Sequence, residues 1–138
     1  MIRERVEVIL KNNNNMYALF RVYNEAGLYV FPGGGTDGDA LEVAASKEVK
    51  EEIGHEVNDL RLLDFTHIGP YRSNKKREQT YTGEKTYFFT GTLDSKDTSI
   101  LNADDDNTPV MWFSKNQVEL LLDLPSNQHR LKVFKGNT

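Results

Sequence analysis

The stretch FPGGGTDGDALEVAASKEVKEEIGH, residues 31–55, runs from a glycine-rich turn straight into a carboxylate-rich helix. Asp39 is a good N-cap residue, and Glu42 follows at the spacing of a capping box, which predicts a helix beginning near Ala40. Gly54 marks its end, because the residue after a last turn commonly takes the left-handed conformation that glycine adopts at little cost. At about 100° per residue, Leu41, Ala44, Ala45 and Val49 form an apolar stripe, and Glu48, Glu51 and Glu52 lie in or beside the same half of the helix.

Those acids are in local conflict. Glu48 and Glu52 are like charges at i,i+4 with Glu51 beside them, all in the last two turns, where the helix dipole disfavours anions; each effect costs up to about 1 kcal/mol. Spacing alone leaves two readings open. One is a solvated face screened by Lys47 and Lys50; the other is a site for a hard cation such as Mg²⁺, which binds carboxylate oxygens and takes substrate phosphates into its remaining positions. The glycines exclude two further readings. Gly33, Gly35 and Gly38 fit G-x-G-x-x-G, but the sequence upstream reads as an antiparallel hairpin and not as a βαβ unit. Gly33 and Gly38 also have the spacing of a P-loop, yet Asp39 and Ala40 stand where Lys and Ser or Thr are required. What remains is a bare backbone open to close approach, followed by a helix presenting three carboxylates.

In this register, residues 33–55 resemble the Nudix box, G-x5-E-x7-R-E-U-x-E-E-x-G-U with U aliphatic. Gly33, Glu48, Val49, Glu51, Glu52 and Gly54 match; Asp39 replaces the first Glu, Lys47 the Arg, and His55 the final aliphatic residue. The resemblance implies an α/β (α+β) fold, an α/β/α sandwich around a mixed, largely antiparallel sheet. It implies a metal-dependent nucleotide pyrophosphohydrolase, acting on a nucleoside diphosphate linked to another moiety by water attack at phosphorus. The metal, Mg²⁺ or Mn²⁺, is then held by Glu48, Glu51 and Glu52 with the backbone carbonyl of Gly33 or Gly34. Glu48 is the expected general base, and Lys47 orients the carboxylates, without the planar fork that an Arg would bring. The departures at Asp39, Lys47 and His55 motivate an alternative, a nucleotide-binding module of the same fold with weak or no catalysis.

The remaining chain fits a single domain over residues 1–138, long enough to bury a core. A net charge of −4 argues against a membrane-surface or stable nucleic-acid partner; the resemblance implies a small-molecule nucleotide as the partner, and a monomer or homodimer is expected. No cysteine is present, which excludes disulfides and fits a reducing, cytoplasmic setting. The N-terminus is too charged for a signal peptide, and no run approaches the ~20 apolar residues of a membrane span.

Residues 3–10 alternate charged and aliphatic, predicting a strand with one wet face. Asn12 to Asn15 predict a hairpin turn, Met16 to Tyr23 its return, Asn24 to Gly27 a second turn, and Leu28 to Phe31 a short strand. Strands are expected over residues 58–68 and 81–92, the latter central and aromatic, and over 109–113. A helix follows, with Ser114 as its N-cap. His67 is given no role; Leu131, Val133 and Phe134 pack a last segment, and residues 136–138 fray. Between the strands, residues 69–80 concentrate Arg72, Lys75, Lys76 and Arg77, either a solvated loop or a phosphate contact. By resemblance this interval borders the substrate cleft. Pro70 and Tyr71 are similar to markers of ADP-ribose and dinucleoside polyphosphate subgroups respectively, and together they do not separate the two. Asp104, Asp105 and Asp106 read as an acidic turn or as the source of a carboxylate outside the box.

Overall fold

The structure, a computed structural model, describes residues 1–22, 25, 27–71, 81–94 and 109–138. The hairpin opens with β1 (Ile2–Lys11) and β2 (Tyr17–Arg21), followed by β3 (Tyr29–Val30) and β4 (Gly33–Gly35). Asn12 makes the first turn: its side-chain oxygen accepts from the backbone N–H groups of Asn14 and Met16, and Asn15 takes a positive φ of 57°. The rest comprises α1 (Leu41–Ile53), β5 (Asn58–Gly69), β6 (Gly83–Thr92), β7 (Met111–Phe113), α2 (Lys115–Leu122) and, after a 3₁₀ turn at Pro125–Asn127, α3 (Gln128–Gly136).

The strands form one sheet in the order β3-β2-β1-β6-β5, with β4 pairing β1 and β7 pairing β2. Only β1 and β6 run parallel among the described pairs, so the sheet is mixed and largely antiparallel. Strand alternation sends Val6, Val8, Leu10 and Phe89 to one face, against Ala44, Ala45, Val49 and Ile53 of α1. Ile9, Leu19 and Phe88 go to the other face, against Val118 and Leu122 of α2 and Leu131 and Phe134 of α3. Adjacent Phe88 and Phe89 are both fully buried, on opposite faces, which makes β6 the central strand expected of it and gives the α/β/α sandwich.

Several expectations are corrected. The glycine run is not a turn but the strand β4, a conformation that a run without side chains does not announce. Asp39 does not cap α1. Ala40 is the N-cap residue with no side-chain cap bond, while the Asp39 carboxylate accepts a hydrogen bond from Lys47 Nζ at 3.1 Å. The charged face of β1 is not wet, because α3 covers it and Glu7 is fully buried there. The C-terminus does not fray: Lys115 Nζ donates to the Thr138 carbonyl at 3.0 Å, and Thr138 Oγ1 donates to the Phe134 carbonyl at 2.7 Å. By contrast, Gly54 does close α1 at φ 84°, and Ser114 caps α2 in a full capping box with Gln117. The second hairpin turn lies partly outside the described residues.

Candidate active site

β4 lies antiparallel to β1, with Arg5 opposite Gly35, Val6 opposite Gly34 and Glu7 opposite Gly33. Hydrogen bonds from Val8 N–H to the Pro32 carbonyl and from Thr36 N–H to the Glu4 carbonyl flank this ladder. Antiparallel ladders alternate, so Val6 and Gly34 form the hydrogen-bonded pair, and the carbonyls of Gly33 and Gly35 turn away from β1. Among the described residues β4 has no other strand partner, so these carbonyls face an open edge.

α1 brings its acids to that strand. A Cβ placed on Gly34 would stand 2.6 Å from Glu48 Oε1 and 2.9 Å from Oε2, so the absent side chain is what lets the carboxylate lie against the backbone. Glu52, one turn on, is buried at 6% exposure, whereas Glu51 is exposed. Lys47 is exposed; its bonded partner is Asp39, whose hydrogen bond and charge hold the ammonium above its ordinary pKa with a smaller contribution from Glu51. Lys47 therefore ties the β4–α1 connection to the middle of α1.

On the opposite face of β1 is a charge cluster that the sequence reading missed. Arg130 of α3 grips Glu7 with two hydrogen bonds, Nε to Oε1 at 2.8 Å and Nη2 to Oε2 at 2.7 Å, and Arg5 Nη1 adds a third at 2.9 Å. Burial alone would push the Glu7 carboxyl up, but Arg130 and then Arg5 outweigh it and hold it at about 2. Glu7 Oε1 also accepts from Phe31 N–H at 3.3 Å, and Asn127 joins Arg130 to the Tyr29 carbonyl, so the cluster fixes the segment that leads into Gly33. The Arg5 guanidinium is raised against the opposing effect of burial by Glu7, Glu84 and, more weakly, Glu52, which couples this cluster to the acids of α1. The available signal was the interruption of an otherwise aliphatic strand by Glu7, which reads equally well as a solvent-facing position.

Tyr71 stands where β5 ends and packs on Tyr81, with ring centroids 5.2 Å apart, at the end of the sheet that also carries Arg3 and Gly35. Arg72, Lys75, Lys76 and Arg77, with Asp104 to Asp106, lie outside the described residues. His67, given no role, stacks on His129 of α3 with ring centroids 3.6 Å apart.

No three His, Asp or Glu side chains among the described residues form a ready-made cation cage. The chemistry of the donors nonetheless fits a hard divalent cation. Glu48 and Glu52 present carboxylate oxygens, and Gly34 is bare enough for one of them to approach the strand that carries the outward Gly33 carbonyl.

A NUDIX domain profile matches residues 1–134, and the chain belongs to that family. The hydrolase class read from the box agrees with this membership. None of the curated protein sequences compared with the chain gives a match. Among solved structures, it is similar to a NUDIX hydrolase from Nitrosomonas europaea at 19% identity, covering 99% of this chain and 90% of that one with a TM-score of 0.68. The dihydroneopterin triphosphate pyrophosphohydrolase of E. coli is 15% identical, with 100% and 99% covered and a TM-score of 0.71. The NUDIX domain of Shewanella oneidensis NrtR, solved with ADP ribose, is 16% identical, with 96% and 85% covered and a TM-score of 0.67. At these identities the likeness establishes the fold. No described helix is long and apolar enough to cross a membrane.

Proposed function

We infer that this chain is a divalent-metal-dependent nucleotide pyrophosphohydrolase, a single domain working in a cytoplasmic setting. It cleaves the phosphoanhydride bond of a nucleoside diphosphate linked to another group. The observation that carries the reading is the seating of the Glu48 carboxylate on Gly34, beside an open strand edge and one helical turn from the buried Glu52. Glu48, Glu51 and Glu52 with the Gly33 carbonyl would hold Mg²⁺ or Mn²⁺. When bound, the ion supplies neutralisation of phosphate charge and a lowered pKa for water.

The chain's own groups do the rest. Glu48 is the general base, taking the proton of the water that attacks phosphorus. Gly33 and Gly34 allow the phosphates close to the backbone, and the leaving phosphate departs with its oxygen. Lys47 acts on the site through Asp39, steadying the β4–α1 connection. The products are two phosphorylated fragments. A dihydroneopterin triphosphate pyrophosphohydrolase and a NUDIX domain solved with ADP ribose share this fold, so both substrate classes belong in the test.

Incubation of the protein with Mg²⁺ and a panel of ADP-ribose, dinucleoside polyphosphates and nucleoside triphosphates tests the reading, with both products identified. Glu52→Gln is expected to reduce turnover by roughly a hundredfold or more while the protein stays folded, since an amide does not replace a carboxylate ligand. Near-normal turnover in the folded variant would remove the proposed site. The second reading, a nucleotide-binding module without catalysis, is favoured by Lys47 bonding Asp39 and by the lack of a preformed three-acid cage among the described residues. It predicts calorimetric binding with no product after prolonged incubation with either metal.

A further inference from the structure

β6 pairs with β1 along its whole length, so β2 and β4 share the other edge of β1. The chain pairs with β2 as far as Val30 and with β1 from Gly33, which leaves Phe31 and Pro32 to cross from one ladder to the other. Phe31 is buried, and buried backbone groups at such a crossing need partners from outside the ladders. Pro32 has no N–H, and its carbonyl accepts from Val8 N–H at 2.8 Å. The Phe31 N–H donates to Glu7 Oε1 at 3.3 Å, and the Tyr29 carbonyl accepts from Asn127 Nδ2 at 2.8 Å. Two side chains from other elements thus grip the chain on either side of Val30. Arg130 joins them, donating to both Glu7 oxygens and, through Nη1, to Asn127 Oδ1 at 2.9 Å. A guanidinium only donates and a carbonyl only accepts, so one orientation of the fully buried Asn127 amide serves both partners. Phe31 also stacks on Phe134 of α3. The 3₁₀ turn and α3 are therefore the template on which the approach to the glycine strand is laid.

We propose that Asn127 is a positioning residue for the reaction: with Arg130 and Glu7 it sets the place of the glycine strand, and so of the Gly33 carbonyl and of Gly34 under the Glu48 carboxylate. Three glycines bring no side chains of their own to fix a strand, so its place is set at its two ends. Thr36 N–H on the Glu4 carbonyl holds the far end at 3.0 Å, and the Asn127 network holds the near one. The proposal rests on the pyrophosphohydrolase reading for the roles of Gly33 and Glu48. Its test uses Asn127→Asp, which keeps the acceptor for Arg130 and loses the donor to Tyr29, and Asn127→Ser, which shortens the side chain without adding a charge. Either variant suffices if the other does not fold. Amide hydrogen exchange is read first, without metal or substrate. The Val8 and Thr36 amides, which close the β1–β4 ladder, exchange about fivefold faster or more. The Phe88 and Phe89 amides of β6 change no more than they do in Ser114→Ala, a cap variant remote from the acids. On a nucleotide turned over with Mg²⁺, kcat falls about tenfold and the half-saturating Mg²⁺ concentration, which a smaller folded fraction does not move, rises several-fold. Wild-type exchange at Val8 and Thr36, acceleration spread equally over β6, or a fall in kcat at unchanged half-saturating Mg²⁺ overturns the positioning role. If no nucleotide is turned over but exchange along β4 still follows Asn127, the hydrolase reading fails and the placing of the strand by Asn127 stands. Turnover that depends on Glu52 but is indifferent to Asn127 gives the reverse.

Discussion

A Cβ on Gly34 meets only the far end of the Glu48 side chain, at 2.6–2.9 Å, whereas one on Gly33 meets the Val6 carbonyl and the Glu7 Cα at 2.9 Å, both backbone. A flexible side chain moves aside cheaply and a sheet backbone does not. Gly34→Ala is therefore expected to keep its melting temperature within a few degrees while kcat falls about tenfold or more, because the displaced group is the proposed general base. Gly33→Ala is expected to destabilise the fold by about 1–3 kcal/mol, a strain to be read by chemical denaturation. If both variants lose stability alike, Glu48 is not held by Gly34 as described. The Asp39–Lys47 pair invites a double-mutant cycle: Asp39→Asn and Lys47→Ala should each reduce kcat a few-fold, and the double variant should be no worse than either. Additive losses would mean that Lys47 acts on a catalytic glutamate directly. The three box glutamates were legible because their spacing is a property of one helix. Lys47's partner was not, since its reach across the β4–α1 connection depends on where that connection folds.

Legibility followed local chemistry in the elements too. α2 was readable from Ser114 alone, and its capping box is complete: Gln117 N–H donates to Ser114 Oγ at 3.3 Å, and Ser114 N–H donates to Gln117 Oε1 at 2.9 Å. Ser114→Ala is expected to cost about 1 kcal/mol in denaturant unfolding and to leave kcat unchanged, because α2 packs away from the α1 acids. A shift in kcat would place α2 in the site. α1 carried an equally good cap signal in Asp39 and Glu42, and it misled. The Asp39 N–H donates to the Thr36 carbonyl and its side chain faces Lys47, so the chain turns before the helix begins. β4 had no signal at all, for three glycines carry no alternation, and only the neighbouring ladder of β1 makes them a strand. The charged positions of β1 were seen, but the burial of Glu7 depends on a helix more than a hundred residues later.

That long-range closure decides how the molecule responds to acid. Glu7 on β1 and Arg130 on α3 are separated by 123 residues, and their bidentate pair joins the N-terminal strand to the C-terminal helix. No periodicity or motif predicts such a pairing, which exists only once the α2–α3 layer has closed on the sheet. The folded carboxyl is held at about 2 against an ordinary 4.5, chiefly by Arg130 and Arg5 overcoming burial. A depressed carboxyl contributes stability that is complete above the ordinary value and disappears as pH falls through the folded one, so the window runs from about 4.5 down to about 2. Glu7→Gln keeps the shape and removes the charge from a buried pair, at an expected cost of about 3–5 kcal/mol at neutral pH. On acidification the wild-type protein loses this advantage while the variant has none to lose, so their unfolding free energies should converge across that window. Urea titrations of both proteins at a series of pH values measure the convergence. A gap that stays constant to the bottom of the window would show that Glu7 is held by shape and hydrogen bonds and not by charge. The chain ends would then be joined by packing of α3 on β1, and Arg130→Met would be the milder of the two losses.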